Sequence, residues 1–383
     1  MSEARAFESV PAGFKAGHAA GGDWARVVKA CFDSLGELPV GANLGFVYAT
    51  DPLAADLGSI LTFLRERSGI EHWVGTVGLG VAASGVEYHD QPALTVLVGV
   101  FPENAFRVLT PITDSGGALA DKDHVWAADR APLFGVVHGD PRNPHMAEMV
   151  AGLSAKATCF LVGGLSASRD ELPQIADRVT EGGLSGVLFS DQLSVAAGLT
   201  QGCMPIGPVR RITESEQNVV KAIDGRPALE VFKEDIGELL ARDLRRIAGY
   251  IYVGFPVTGS DTGDYLVRNI TGIDGDRQWL AFSDIDLVGQ DRTLRFCRRD
   301  HDAAVKDLKR MLADLKVRAG GKAKAGLYFS CLERGEALFG SNSEELKLVR
   351  QVLGDIPLVG YFANGEISND RLYGYTGVLA LFL

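Results

Sequence analysis

Two short stretches near the C-terminus concentrate the residue types that do chemistry. The first, Gly326-Leu327-Tyr328-Phe329-Ser330-Cys331-Leu332-Glu333-Arg334-Gly335, is an apolar run that delivers a hydroxyl and a thiol to its end. A guanidinium follows in a glycine-closed turn. The second, Pro357-Leu358-Val359-Gly360-Tyr361-Phe362-Ala363-Asn364-Gly365-Glu366-Ile367, runs into a glycine-flanked turn carrying an amide and a carboxylate. Polar groups at the ends of neighbouring strands converge on one crevice, a common place for a small-ligand site. The same residues also fit a plainer role, in which Arg334 and Glu366 form an ion pair that pins two loops. Cys331 adds a third option, a thiol beside a cation acting as a nucleophile.

The elements that must position these groups read as an α/β chain. The 383 residues suggest two or three domains, and 46% hydrophobic with 23% charged residues is a folded composition. Asp23 to Leu35 has apolar residues at helical spacing, and Leu53, Leu57, Ile60, Leu61 and Leu64 continue the pattern after a strand at Leu44 to Tyr48. Asp51 suits a helix cap and Pro52 a first helical position. Ala93 to Phe101 is nearly continuous apolar sequence, as in a strand covered on both faces. Further strands are expected at Leu133–His138, Thr158–Val162 (stopping at Gly163-Gly164), Tyr250–Phe255, Asp264–Ile270, Trp279–Ser283, Thr293–Cys297, Leu327–Cys331, Leu358–Phe362 and Gly377–Leu383. Gly186–Ser190 and Val195–Leu199 read as a hairpin. Helices are expected at Asn143–Ala155, Glu234–Ile247 and Asp302–Arg318, and from a Ser341/Glu344 capping box to Leu353. Residues 1–20 read as a loosely held tail. The fold class is therefore layered mixed sheets covered by helices.

One internal echo stands out. Val74-Gly75-Thr76, Leu161-Val162-Gly163-Gly164 and Leu358-Val359-Gly360-Tyr361 each place an apolar strand before glycine, and each follows a helix. The pattern fits a duplicated architecture, and it also fits the ordinary way a strand ends.

Composition excludes several classes. A net charge of −11 gives no basic excess to displace counterions from nucleic acid. The apolar run at Ala93–Phe101 is about half a membrane span, and the N-terminus has no signal-like core. Five scattered cysteines without a C-x-x-C suggest reduced thiols in the cytoplasm. There is no phosphate-binding loop, dinucleotide fingerprint, nucleophile elbow or zincin motif. His138 and His145 flank Asp140-Pro141-Arg142 and read as loop histidines rather than axial or metal ligands. Asp121-Lys122-Asp123 and Asp284-Ile285-Asp286 read as solvated turns rather than cation sites.

The two C-terminal stretches resemble the FIST_C domain, which ends in Ser-Cys-x-x-Arg-Gly, a helix, and Gly-Phe-Phe-x-x-Gly-Glu-Ile; here the aromatic pair is Tyr361-Phe362. Tyr265 to Asp274, which contains Arg268, resembles the opening strand of that domain, and Phe296 to Asp300, which contains Arg299, its middle segment. Gln201 to Pro208 resembles the Gly-x-x-Pro-Ile-Gly signature of the FIST N-terminal domain, and Asp224 to Glu230 resembles its Asp-Gly-x-Pro-Ala end. The glycine-rich loop Gly75–Gly80 departs from the family in lacking Cys and Glu. The resemblance implies a tail and helix over 1–36, a FIST N-terminal domain over 37–225, FIST_C over 226–375 and a closing strand over 376–383. It also implies a stand-alone cytoplasmic sensory protein rather than an enzyme. It would bind a small molecule, an amino-acid-like zwitterion being favoured, and signal to a separate protein, with no nucleic acid or membrane as partner. Haem with nitric-oxide sensing and a Cys331-dependent enzyme are the alternatives; otherwise no cofactor or metal is expected. The expected ligand residues are Arg268, Arg299 and Arg334 as forked donors for a carboxylate and Glu366 for an amine. Ser330, Cys331 and Asn364 would give further polar contacts and Phe362 an apolar wall.

Overall fold

The computed structural model describes residues 13–257, 263–283 and 292–383. They form two compact units. The larger comprises the chain up to Leu199 with Lys309–Leu372 and Thr376–Leu383; the smaller comprises Thr200–Leu308 with Tyr373–Tyr375.

The larger unit is built three times over from one plan. Each repeat has a lead strand, a helix and a second strand parallel to the first: Leu44–Thr50, Leu57–Ser68 and His72–Gly78; Phe134–Gly139, Met146–Ala157 and Phe160–Leu165; Ala325–Cys331, Glu344–Leu353 and Leu358–Ala363. The chain then leaves its own sheet and adds a hairpin to a neighbouring one. It comes home as an antiparallel strand beside the lead strand: Ala93–Gly99, Leu184–Phe189 or Thr376–Phe382. The hairpins are exchanged in a cycle. Gly80–His89 of the first repeat pairs on Leu358–Ala363, Gln174–Thr180 of the second on His72–Gly78, and the strand Glu366–Ser368 of the third on Phe160–Leu165. The three resulting six-stranded sheets have the same strand order. The smaller unit is an insertion in the third repeat, between its edge strand Val195–Gln201 and its lead strand.

The echo in the sequence is thus a structural repeat. Gly75, Gly163 and Gly360 occupy one equivalent position, opposite Val47, Val137 and Tyr328. A Cβ there would lie 1.8, 1.8 and 1.7 Å from the carbonyl oxygens of those three residues, so the close strand approach admits only glycine. These glycines lie inside strands. Phe160–Leu165 therefore continues through Gly163-Gly164, where the sequence suggested a stop.

Alternation along the strands divides the core in two. Odd and even positions of Leu44–Thr50 separate cleanly. Phe46 and Tyr48 join an inner core with Val136, Phe329, Tyr361 and Val378 from all three sheets. Val47 and Ala49 instead pack with Val27, Cys31, Leu57 and Leu64 of the covering helices.

Other expectations change for local reasons. Residues 14–20 are not tail: Phe14–Ala20 is an edge strand on Ala93–Gly99. The segments 184–189 and 195–201 belong to different sheets rather than to one hairpin. The helix expected over Glu234–Ile247 is broken at Gly237 (φ 81°) into Ala228–Ile236, Glu238–Ala241 and a 3-10 turn at Leu244–Ile247. Asp51 starts a 3-10 turn rather than capping a helix. The helix Glu344–Leu353 has Ser343, not Ser341, at its cap position, without a side-chain capping bond.

In the smaller unit a sheet runs through Cys203–Pro205, Thr293–Arg299, Arg210–Glu216, Val219–Ile223, Trp279–Phe282, Tyr265–Asp274 and Ile251–Pro256. Ile251–Pro256 pairs back on Thr293–Arg299, which closes the sheet and removes its edges. Helix Ala228–Ile236 packs on it, with Phe232 against Phe296 at 4.8 Å between ring centroids.

Candidate functional site

The polar interior of the larger unit gathers at one end of its strands. Register places Thr95, Tyr48, Thr76 and Gln174 on one rung of the first sheet; Ser185, His138, Gly164 and Glu366 on the matching rung of the second; and Val378, Phe329, Tyr361 and Val81 on that of the third. Two residues toward the start of each lead strand, the rung is apolar: Phe46, Val136 and Leu327. Two residues toward its end stand Thr50, Asp140 and Cys331. The C-terminal ends of parallel strands carry the ligand in open α/β sheets, and here they carry the polarity.

Four rings meet on the central rung. Centroid separations are 5.5 Å for Tyr48–His138, 5.0 Å for Tyr48–Tyr361, 6.0 Å for His138–Tyr361 and 5.7 Å for Phe329–Tyr361. His138 is not a loop residue. It is fully buried in a strand with Nε2 3.2 Å from the Tyr48 hydroxyl, and burial holds its imidazolium pKa down at about 3, so the ring is neutral. Glu366 is fully buried. Its Oε2 accepts from the Thr376 hydroxyl at 2.6 Å and from the Thr376 backbone N–H at 3.1 Å. Burial pushes its pKa up to about 8, against the opposing pull of Thr376, the charge of Arg334 and the Cys331 thiol. Four buried polar atoms of this rung have no hydrogen-bond partner: Thr95 Oγ1, His138 Nδ1, Tyr361 OH and Glu366 Oε1.

Arg334 lies beyond the same strand end and pairs with Glu345, not Glu366. Its Nη2 is 2.7 Å and its Nε 2.8 Å from Glu345 Oε1, and its guanidinium stacks 4.9 Å from the centre of the Phe339 ring. Glu345 also accepts from the Tyr328 hydroxyl at 2.6 Å, from Ser330 Oγ at 3.2 Å and from the Gly335 N–H at 2.9 Å. Both members of the pair are fully buried. With the Nε/Nη2 edge spent on Glu345, Nη1 is left buried without a partner. Beside this cluster, Glu87 is within 3.2 Å of His89 Nε2, and its Oε1 is likewise unmatched.

The expected ligand residues therefore fall into groups. Ser330 and Arg334 meet around Glu345 on the helix-covered face of the third sheet, with Phe362, whose ring lies 4.5 Å from that of His89. Cys331 and Glu366 meet on the inner side. Asn364 is exposed, its N–H bonded to the Leu165 carbonyl. Arg268 and Arg299 belong to the smaller unit, where Arg268 Nη1 donates to the Val267 carbonyl and the Arg299 N–H to that of Tyr250. Sequence reasoning missed Glu345, Tyr361, His138, Thr376 and Glu87. Of these, Tyr361 was the most accessible, because the glycine echo at 360 marks its strand.

Three surface depressions of this unit lie at other residues: beside Arg65, His72 and Asp177; beside Arg318, Lys322 and Lys324; and beside Asp140, Arg142 and Glu181. Asp123 is buried at the start of a helix and accepts from Arg107 Nε and the Thr110 N–H, so Asp121-Lys122-Asp123 is neither a solvated turn nor a cation site. Asp284-Ile285-Asp286 lies outside the described residues. Among the described residues no group of three or more metal-ligating side chains occurs, and no helix is long and apolar enough to cross a membrane. All five cysteines are buried and outside any disulfide.

Comparison with known proteins gives this arrangement its class. Residues 43–226 match the FIST N domain and residues 228–369 the FIST C domain. The chain belongs to the FIST family, whose domains are recognised as sensory domains. It is 30% identical over 327 residues to the uncharacterised protein Rv0628c of Mycobacterium tuberculosis, covering 81% of this chain and 83% of that one. It is 28% identical over 364 residues to the uncharacterised protein Mb0898c of Mycobacterium bovis, covering 91% and 92%. The two family segments do not coincide with the two compact units. The first and second sheets take the hairpin strands of the other family segment or lend theirs to it, so the larger unit needs both.

Proposed function

We propose that this protein senses a small zwitterion of the amino-acid type at the C-terminal strand ends of its larger unit, and passes the signal to a separate cytoplasmic protein. One observation carries the reading. Two fully buried side chains within electrostatic reach of each other, the Arg334 guanidinium and the Glu366 carboxyl, each keep one hydrogen-bonding atom unmatched, Nη1 and Oε1. Folded proteins leave few buried polar atoms unsatisfied, and each costs about 1–3 kcal/mol. A ligand carboxylate on Arg334 Nη1 and an ammonium on Glu366 Oε1 would satisfy both, with the Tyr361 hydroxyl beside the ammonium. Five buried thiols without a disulfide fit a reducing compartment.

Calorimetric titration of an amino-acid panel tests this. One member is expected to bind wild type and to lose at least tenfold in affinity with Glu366→Gln, which keeps the shape and removes the charge. An ammonium favours the ionised carboxylate, so binding near neutral pH should release a proton from Glu366, visible as a dependence of the heat on buffer ionisation. Equal affinity in both proteins, or no binding by any member, overturns the reading.

A further inference from the structure

The three repeats can be compared at the point where each chain crosses to the next sheet. Register makes Thr76, Gly164 and Tyr361 equivalent, and likewise Val81, Gln174 and Glu366. In the first and third repeats the crossover is short, passing through Gly78-Leu79-Gly80 and through Ala363-Asn364-Gly365. In the second it is longer by about one short loop, and the added residues, around Ser168-Arg169-Asp170-Glu171, form no part of any strand.

That excursion lies at the polar end of the strands. It departs from Leu165, whose N–H bonds to the Gly365 carbonyl beside Glu366, and it ends at Gln174 in the first sheet. Its feet are buried: the Ser166 N–H bonds to the Gly139 carbonyl, the Ala167 N–H to that of Val77, and Leu172 is buried. Its crest is exposed and is tied down at Arg169, chiefly through the guanidinium, with the backbone N–H also donating to Asp51 at 3.4 Å. Arg169 Nη1 lies 3.1 Å from Asp51 Oδ2, just past the first lead strand. Its Nη2 meets Asp90, at the end of the hairpin that completes the third sheet. Arg169 thus joins a loop that leaves the second sheet to segments at the ends of the first and third. The guanidinium and Asp90 are 57% and 77% exposed, and exposed ion pairs are weak and reversible; Asp51 is the buried end of the tie, 6% exposed.

We propose that residues 166–173 are a lid over the strand-end site, with Arg169 as its latch. The inference deepens the ligand reading and rests on it for what passes beneath the lid. It explains how a buried Glu366 can meet a solute: the strap lifts at its exposed crest while its buried feet hold. The other two crossovers are too short to do this, so the device belongs to the second repeat alone.

The test does not need the ligand. Cys331 lies at this strand end and is 6% exposed, whereas Cys31 is on the buried face of the helix Trp24–Leu35 and Cys159 at the opposite strand ends. Full-length protein is reacted with a thiol-specific maleimide, and the labelling rate of each cysteine is read by peptide mapping. Arg169→Ala is expected to speed labelling of Cys331 several-fold to about tenfold and to leave Cys31 and Cys159 unchanged. Asp90→Asn should give a smaller rise, and raising the salt from 0.05 to about 1 M should speed labelling in wild type but not in Arg169→Ala, because exposed pairs are screened. An unchanged rate at Cys331, or an equal rise at all three thiols, overturns the lid. A selective rise at Cys331 together with no amino-acid binding would leave the lid standing and remove the ligand reading.

Discussion

Two buried glutamates sit a few residues from the same strand end, one on each side of the third sheet, and they are treated in opposite ways. Glu345, on the helix-covered side, receives donors from Tyr328, Ser330, Gly335 and two nitrogens of Arg334. Glu366, on the inner side, has Oε2 held by Thr376 while Oε1 is unmatched. The first carboxylate has its hydrogen-bonding capacity filled from within and ties the segment 332–340 and the helix Glu344–Leu353 to the sheet. The second keeps capacity in reserve. A signature that reads as one crevice in sequence is therefore a clamp plus an unsaturated acid; what is left to offer a guest is the acid's Oε1 and the one guanidinium nitrogen the clamp does not use, Arg334 Nη1.

The sharpest way to break the contrast is to remove the clamp. Glu345→Gln leaves the Arg334 charge buried without a counter-charge. Breaking a buried pair from one side costs about 3–5 kcal/mol, a large share of the stability of a domain. Chemical denaturation at neutral pH should show this loss, and one under about 1 kcal/mol would mean that the pair is not the clamp described here.

Glu366→Gln should act in the other direction and depend on pH. The folded-state pKa of Glu366, about 8, lies above the unfolded value, so the folded chain binds more protons between pH 4.5 and 8, and wild-type stability falls as pH rises through that window. His138 does the reverse. Its folded pKa, about 3, lies below the unfolded value, so stability is lost as pH falls from about 6.5 toward 3. The two acting together give wild type a stability maximum near pH 5–6. Glu366→Gln should remove the alkaline limb, leaving the variant more stable than wild type at pH 8 by roughly a few kcal/mol and unchanged at pH 5. Denaturation midpoints at several pH values would show it, and an alkaline limb of equal slope in both proteins would place the titrating group elsewhere.

How much of this was legible depends on whether the cause was local. Lead strands, second strands and the helices between them follow from hydrophobic period. Leu44–Thr50 and His301–Ala319 fall within a residue or two of their expected bounds, while Leu57–Ser68 ends where expected but starts only after the 3-10 turn Asp51–Asp56. The triple repeat was visible as three glycines after apolar runs, but the sequence could not say why they were glycines. The reason is a carbonyl oxygen on a strand about 30 residues away. The hairpin exchange was invisible, since Gly80–His89 reads as a local hairpin whichever sheet it joins. At the site, the sequence singles out Arg334 and Glu366, and the structure places both, buried, close to strand ends. Their surroundings were not legible: Glu345 drew no notice inside a helix expected to run to Leu353, and His138 read as a loop residue, because burial by a distant sheet leaves no mark on neighbouring residues.

The finest test of the contrast uses two hydroxyls. Ser330 and Thr376 each donate to one of the two glutamates, so a count of bonds alone assigns each about 1 kcal/mol of stability. The contrast says otherwise. Ser330→Ala removes one of several donors to Glu345, whose charge stays paired with Arg334, and should cost well under 1 kcal/mol. Thr376→Val removes the hydroxyl on Glu366 Oε2, leaves the acid the Thr376 backbone N–H and the Cys331 thiol, and raises its pKa further. Its cost should therefore be about 1 kcal/mol at pH 5 and grow toward pH 8, while that of Ser330→Ala stays flat with pH. Equal costs with equal pH profiles would mean that the two acids are equally well satisfied, and the distinction between clamp and reserve would fall.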